Sequence, residues 1–363
     1  MRSNVRKMLD DFTFKVESSY RKYSYSKQAK QRLKRMNGGY DLGKEYQEIV
    51  VPYWKQFGIK PKKFWYKIFA DRDQKVDPRY IPDDLWYGEI VPYYSNSQFR
   101  RLGEDKCLHD LNFPDLNRPK TIAKNIACVY YDADMNIITK EDVLNVVASY
   151  HDDFIIKPSI DSGEARLIKF FEAGQCSREE ILVTIDTLKA NYIIQEVVKQ
   201  HATLSRLNET SLNTIRTISF FFKNEIHILS SVLRIGAENS RVDNIGAGGY
   251  AVPIYRDGSL HEKGVNRKAE WVDNNSRGIY FKDIVIPKYD ELIEIIKREH
   301  RKKSHFKIIG WDFAIDQDGD VVFIEFNSVP GPNQMTLGPT FGDLTEQVLQ
   351  DVFVDKTLKY AQN

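Results

Sequence analysis

Apolar and polar positions alternate with a period of two in several stretches of this chain, and recur with a helical period in others. The clearest alternation runs from Ile308 to Asn333, IIGWDFAIDQDGDVVFIEFNSVPGPN. It predicts two strands joined by a tight turn. Asp318-Gly319 suits a two-residue type I′ loop, whose central residues both take positive φ. With that loop Gln317 pairs with Asp320, Asp312 lies opposite Glu325, and Asn327 points to the same face as Glu325. The other face carries Ile309, Trp311, Phe313 and Ile315 against Val322, Ile324 and Phe326. Two directly opposed carboxylates, roughly 4.5–5.5 Å apart at Cβ, repel each other, so a positive charge belongs between them. Hard oxygen donors of this kind suit Mg²⁺. A solvated strand face with acids placed by chance has the same pattern.

The same reading extends to the rest of the chain. Residues 1 to about 36 predict a helix ending near Asn37-Gly38-Gly39. Asp41–Phe57 and Phe64–Asp73 read as helices, and Pro78, Pro82 and Pro92 punctuate a segment expected to be rich in loops. Lys106 stands near the start of a short helix. Thr121–Ile138 reads as one or two strands, and Lys140–Tyr150 as an amphipathic helix capped by Thr139. Phe154–Pro158 is an apolar strand ending in Lys157-Pro158, followed by a small polar turn, Ser159 to Glu164, and a return strand to Phe171. A lysine beside such a turn can hold phosphates, with loop N–H groups and hydroxyls around the oxygens; an ordinary hairpin looks the same. Glu179–Lys189 predicts a helix and Tyr192–Val198 a strand whose exit can read an adenine edge by its backbone. His201 follows, as a substrate contact or a surface residue. Ser211–Phe222 and Glu225–Ile235 predict a long hairpin across Lys223-Asn224, carrying Arg216 and Arg234 within apolar strands. Such an arginine requires an anion, either a phosphate or a buried carboxylate. The Gly-rich stretch Arg241–Tyr250 matches neither the dinucleotide nor the P-loop pattern. Pro287–Arg301 and Thr340–Leu358 complete the helices, and no internal repeat is expected.

Composition narrows the picture little. The chain has 363 residues and a net charge of +2, so no global field points to nucleic acid. Cys107, Cys128 and Cys176 lack metal or redox spacing. No stretch approaches the roughly 18 apolar residues of a spanning helix, and no leader is visible, so a cytoplasmic protein is expected. The one local bias is the first 36 residues, with eleven basic side chains against three acidic ones and interleaved Tyr and Phe. Such an arm is either a solvated helix or a peripheral contact for an anionic membrane surface.

The order of these features is more specific than any one of them: lysine near a helix start, strand-ending KP with a small-residue turn, QE strand exit, NTIR strand, then GWD and EFNSVPG. In that order they resemble the ATP-grasp superfamily, and more narrowly its sugar-transfer associated branch, over about residues 98–350. The resemblance implies an α+β chain: a helical lobe with its basic arm at 1–97, and two ATP-grasp subdomains at 98–190 and 191–363 gripping ATP. It implies that Lys106 and Lys157 hold phosphates, that Ser159, Ser162 and Gly163 form the phosphate loop, and that Gln195, Glu196 and Val198 meet adenine and ribose. Arg216 falls to the transferred phosphoryl group, and Asp312, Glu325 and Asn327 to Mg²⁺; Arg234, an arginine of the same kind on the next strand, is taken with Arg216 as a catalytic candidate. The implied activity is ATP- and Mg²⁺-dependent ligation of a small-molecule carboxylate to an amine through an acyl phosphate, in surface polysaccharide or cell-envelope biosynthesis, with sugar-linked substrates. A phosphotransferase, or a nucleotide-binding regulator of glycan assembly, is the alternative. Gly163 stands alone where the family's loops carry two glycines.

Overall fold

The structure is a computed structural model describing residues 2–160, 167–243, 248–266 and 270–358. Among these residues, strands form two antiparallel sheets, and helices cover them, as an α+β chain requires. The first sheet is built from β1 (Thr121–Ile126), β2 (Val129–Asp132), β3 (Ile137–Ile138), β4 (Phe154–Pro158), β5 (Lys169–Phe171) and β6 (Tyr192–Glu196), in the order β3-β2-β1-β6-β4-β5. Thr121–Ile138 thus makes three short strands. β6 lies between β1 and β4, so the sheet continues past residue 190.

The second sheet runs β11-β10-β9-β8-β7-β12-β13, with β7 (Thr214–Phe222), β8 (Glu225–Ile235), β9 (Tyr250–Pro253), β10 (Gly264–Asn266), β11 (Trp271–Val272), β12 (Ile308–Ile315) and β13 (Val321–Asn327). Lys223 and Asn224 take φ of 48° and 66°, the left-handed pair that closes a two-residue hairpin.

Alternation decides what each face meets. On the first sheet Phe154 and Ile156 pack under two helices, Lys140–Ala148 and Arg178–Leu188, through Val143, Val147, Ile181 and Ile185. Ile155 and Lys157 point the other way, into a cleft. The first of these helices starts at Thr139, whose side chain and Asp142 form the reciprocal cap.

On the second sheet Ile215, Ile309, Trp311 and Phe313 face the helix Tyr289–Arg301. Ile218, Phe220, Phe222 and Ile308 face the N-terminal lobe. That lobe holds α1 (Arg2–Arg35) and Lys63–Asp73, and its core includes Trp54, Trp65, Tyr66, Trp86 and, from the C-terminal end, Phe341 and Leu349. Where the lobe stops, Arg216 and Asp312, of the same parity as Ile218 and Ile308, form the floor of the cleft.

The prolines break the chain less than expected. Residues 83–94 are helical almost throughout, with a π-helical turn, Trp86–Ile90, just before Val91-Pro92. The same device precedes Val51-Pro52, at Tyr46–Val50. Proline cannot donate to the i−4 carbonyl, and a wider turn ahead of it absorbs the mismatch. The related stretches EIVVPYW and EIVPYY therefore form a small structural echo that the periodicity did not expose. The closing helix is likewise short, Thr345–Leu349, and passes into a π-turn, Gln350–Asp355.

A buried polar chain links the second sheet to its helix. Trp311 Nε1 donates to Ser219 Oγ at 2.7 Å, Ser219 lies 2.7 Å from His300 Nδ1, and His300 Nε2 lies 2.9 Å from the Phe306 carbonyl. A carbonyl only accepts, so Nε2 carries the proton and Nδ1 accepts from the serine. Burial pushes the imidazole down from 6.5 to about 4. The unfolded chain therefore takes up a proton first as pH falls, and stability is lost between about pH 6.5 and 4. That interval corresponds to roughly 3 kcal/mol at most. Urea unfolding of His300→Gln across this range should show a flatter acid limb than the natural protein; parallel limbs would show that His300 does not contribute.

Candidate functional site

The two sheets face each other across a cleft of about 920 Å³. Its floor depends on the register of β12 with β13. Asp312 pairs with Glu325, as expected, but by a different route. The turn has three residues, Gln317 to Gly319, closed by Asp316 with Asp320, and only Gly319 takes the left-handed conformation, at φ 83°. The Asp316 carboxylate ties the turn by accepting from the Asp318 and Asp320 amides at 3.1 and 2.8 Å. Phe313 then pairs with Phe323, and a bulge at Ile324 restores the pairing of Asp312 with Glu325. The bulge also reassigns faces. Val321, Phe323 and Phe326 face the core, whereas Ile324, expected there, lines the cleft beside Glu325. Val322 is buried but outside that core.

The positive charge that the paired acids require comes from the neighbouring strands. β7 pairs with β12 so that Arg216 lies opposite Asp312. The Arg216 guanidinium engages both Asp312 oxygens, through Nε to Oδ1 and through Nη2 to Oδ2 at 2.5 Å. Arg234, from β8, reaches Asp312 Oδ2 and Asp243 Oδ1, each at 3.4 Å. Thr214 donates to the other Asp243 oxygen. The strand arginines thus meet carboxylates, Asp312 buried and Asp243 partly buried. Burial weakens the Arg216 charge, but Asp312 more than offsets it and holds the guanidinium firmly protonated. Burial raises Asp243 above the ordinary carboxylate range despite Arg234.

Glu325 is handled from the first sheet's side. Lys106 Nζ lies 3.3 Å from Glu325 Oε1. Burial alone would raise this carboxyl; Lys106, Arg216 and Lys157 together hold it below its ordinary value. Lys157 is 6% exposed and, among the described residues, lies within ion-pair distance of no carboxylate. Burial and then the Lys106 charge push it down to about 8. Lys106 is placed by its own amide, which donates to the Ser159 carbonyl at 2.9 Å.

Several predicted residues sit elsewhere. Ser159 is fully buried, away from the cleft lining, and its amide donates to the Asn191 carbonyl. Its backbone, rather than its hydroxyl, serves the site. Ser162 and Gly163 lie outside the described residues. The Gln195 side chain is buried and donates to the Pro119 carbonyl at 3.3 Å. Gln195 pairs with Ile155 and shares its face, but its amide is taken up by Pro119 and stays beneath the lining, while Glu196 and Val198 line the rim. Glu196 Oε2 accepts from the Tyr150 hydroxyl at 2.6 Å. His201 caps a helical turn, its Nδ1 accepting from the Thr203 amide. Asn327 lines the cleft and accepts from the Val329 amide at 3.0 Å.

Sequence reasoning missed Asp243 within the Gly-rich stretch Arg241–Tyr250; nothing local tells that it folds back onto Arg234. It also missed Arg241 and Glu172. Arg241 stacks 4.6 Å above the Phe170 ring and lies 3.5 Å from Glu172, linking the Gly-rich stretch to the edge of the first sheet across the cleft mouth.

The donor chemistry fits a divalent cation. Asp312, Glu325 and Asn327 offer hard oxygen atoms to one cavity, and Glu325 Oε2 has no hydrogen-bond partner among the described residues. Asp312 is already occupied by two guanidiniums, so Glu325 and Asn327 are the freer donors. Among the described residues no cluster of three His, Cys, Asp or Glu side chains forms a metal cage by itself.

Comparison with known proteins bears on the fold. No curated protein matches the chain. Solved structures similar to it include D-alanyl-alanine synthetase A from Vibrio cholerae O1 biovar eltor, at 13% identity over 70% of this chain and 65% of that one, with a TM-score of 0.41. The ATP-grasp ligase PsnB, complexed with precursor peptide PsnA2 and AMPPNP, aligns at 12% identity over 85% and 75%, with a TM-score of 0.38. An L-amino acid ligase from Bacillus licheniformis aligns at 11% identity over 74% and 52%, with a TM-score of 0.38. The chain therefore spans less than two thirds of the length of the first and third of these proteins. The family model described as sugar-transfer associated ATP-grasp matches residues 93–349, and the chain belongs to that family.

Proposed function

We propose that this protein is an ATP- and Mg²⁺-dependent ligase that joins a small-molecule carboxylate to an amine, releasing ADP and phosphate. The observation that carries the reading is the convergence of Lys106, Lys157, Arg216 and Arg234 on Asp312 and Glu325 in one cleft. Lys157 supplies a buried positive charge with no carboxylate within ion-pair distance among the described residues, suited to a polyphosphate. Lys106 bridges that charge to Glu325. The Val198 amide makes no internal hydrogen bond among the described residues and is free for an adenine edge; Glu196 stands beside it for a ribose. Asp312, Glu325 and Asn327 would hold the magnesium, which when bound neutralises phosphate charge. Arg216 and Arg234 lie where the transferred phosphoryl group gathers negative charge, and their prior pairing with Asp312 fixes their orientation. The substrate carboxylate attacks the terminal phosphorus, ADP leaves, and the amine displaces phosphate from the acyl phosphate. Arg241 on Phe170 and Glu172 narrows the mouth and helps keep water from that intermediate. We assign the substrates to sugar-linked compounds of surface polysaccharide or envelope synthesis, handled in the cytoplasm without nucleic acid.

The reaction is tested by screening amino acids against uronic-acid sugars for coupled release of ADP and free phosphate. ADP with a phosphorylated product instead of free phosphate identifies a phosphotransferase, and AMP with pyrophosphate excludes both. Glu325→Gln keeps the volume and removes the charge; ATP turnover should fall by roughly a hundredfold or more while the thermal transition stays in place. Unchanged turnover would remove Glu325 from the site.

Lys157 gives a second test. A polyphosphate favours its charged form, so nucleotide binding near pH 8 should take up a proton, and affinity should fall as pH rises through about 8. Calorimetry in two buffers of different ionisation enthalpy reads the proton directly. Lys157→Met should abolish the uptake and weaken binding by roughly tenfold or more. Equal heats in both buffers for the natural protein would count against a phosphate role.

A further inference from the structure

α1 has two unlike faces. Ser18, Lys22, Ser26 and Ala29, spaced four, four and three apart, hold one face to the lobe. Ser18 Oγ donates to the Gly88 carbonyl at 2.7 Å, Lys22 pairs with Glu89, and Ser26 Oγ donates to Asp84 at 3.1 Å. The approach is close: a Cβ on Gly88 would meet the Lys22 side chain at 2.7 Å. The Tyr25 ring stacks on Tyr87 at 3.9 Å. The helix therefore cannot roll, and its outward face is fixed.

That outward face carries Phe12, Val16, Tyr20 and Tyr23, at the same four, four and three spacing, which places them on one stripe. They are 66, 52, 70 and 67% exposed. Among the described residues Phe12, Tyr20 and Tyr23 rank with the most exposed large apolar side chains, and Val16 joins them into one run. A contiguous exposed apolar stripe on a soluble chain marks an interaction surface. Its surroundings are basic. Exposed Lys15 and Lys27 flank it, and residues 1–36 carry eleven basic against three acidic side chains.

We infer that this stripe docks α1 flat on an anionic lipid bilayer. Charge decides between this occupant and a second copy of the chain: two such helices would bring like charges together, whereas an anionic surface attracts them. The composition fits the interface. Tyrosine places an apolar ring beside a polar hydroxyl, and a helix with an apolar stripe and a basic rim lies at the headgroup level. No helix among the described residues is long and apolar enough to cross a membrane, so the contact is peripheral. The inference stands on α1 alone and is independent of the ligase reading.

The test is co-flotation of the full chain with vesicles of equal parts phosphatidylglycerol and phosphatidylcholine, beside vesicles of phosphatidylcholine only. Binding is expected to the anionic vesicles and not to the neutral ones, with release at high salt. Phe12→Ser/Tyr20→Ser should lower the partition coefficient more than about tenfold, and Lys15→Glu/Lys27→Glu by at least about fivefold for each charge. Circular dichroism should be unchanged, because all four side chains are exposed. No flotation of the natural chain, equal flotation with neutral vesicles, or equal flotation of the stripe variant overturns the inference. So does sedimentation velocity showing a dimer that Phe12→Ser/Tyr20→Ser dissociates without any vesicle binding, which assigns the stripe to a second copy. None of these readouts uses a substrate, so a failed ligase screen leaves them intact.

Discussion

Asp312 is a carboxylate on a buried strand, next to β7 on one side and β13 on the other. Taking such a charge from water costs several kcal/mol unless it is paired, and removing one partner of a buried pair costs about 3–5 kcal/mol. Arg216 stands opposite it in the ladder and binds both oxygens; Arg234 approaches from the next strand out. The second arginine then needs its own anion, which Asp243 provides. One buried acid thus propagates an alternating network across three strands. Such a network contributes little net stability, since its attraction mostly offsets desolvation. What it gives is orientation: two guanidiniums aimed into one end of the cleft.

The second constraint is the bulge at Ile324. Without it, a three-residue turn would leave Asp312 one position out of register with Glu325, and alternation would turn Glu325 into the core. The chain beyond β13 is held just as firmly, by the N-terminal lobe. Trp86 Nε1 donates to the Pro330 carbonyl at 2.8 Å, Gln334 exchanges two hydrogen bonds with the Ile81 backbone at 2.7 Å each, and Arg72 reaches the Thr336 carbonyl at 3.1 Å. Gly310 on β12 is needed because a Cβ there would meet Pro330 at 2.8 Å. Most of the lobe lies before residue 93, outside the stretch matched to the family, yet it fixes the exit from the carboxylate strand.

The strands and amphipathic helices were legible because alternation and capping are local. Lys140–Ala148 begins at the residue whose hydroxyl marks it, and β8 has the predicted ends. The pairing of Asp312 with Glu325 was reached through two errors that cancel: a turn one residue too short and an unseen bulge. Neither has a sequence signal, since bulge position is set by packing on both faces. Ser159 and Gln195 illustrate a different limit. Both side chains are buried beneath the cleft lining, Gln195 because the Pro119 carbonyl takes up its amide, and a backbone partner brought in from another strand has no local sequence signal. The π-turns before Pro52 and Pro92 were hidden because proline reads locally as a break. Asp243 was hidden because its partner is on another strand.

The lysines show how burial converts a common residue into a specific one. Lys15 and Lys27 of α1 are exposed and solvated, whereas Lys22 of the same helix is turned to the lobe and paired with Glu89. Lys106 and Lys157 are each 6% exposed, at the junction of the two sheets. Lys106 has Glu325 as a partner, but Lys157 has the Lys106 charge against it and, among the described residues, no acid within ion-pair distance, and burial with that charge lowers its affinity for a proton. A chain that needed only stability would replace such a lysine with an apolar residue of similar volume. Keeping it stores a desolvation penalty that a bound polyanion relieves. Among the described residues the inner end of the cleft holds four cations, Lys106, Lys157, Arg216 and Arg234, against three carboxylates, Asp243, Asp312 and Glu325, a balance that favours the entry of negative charge.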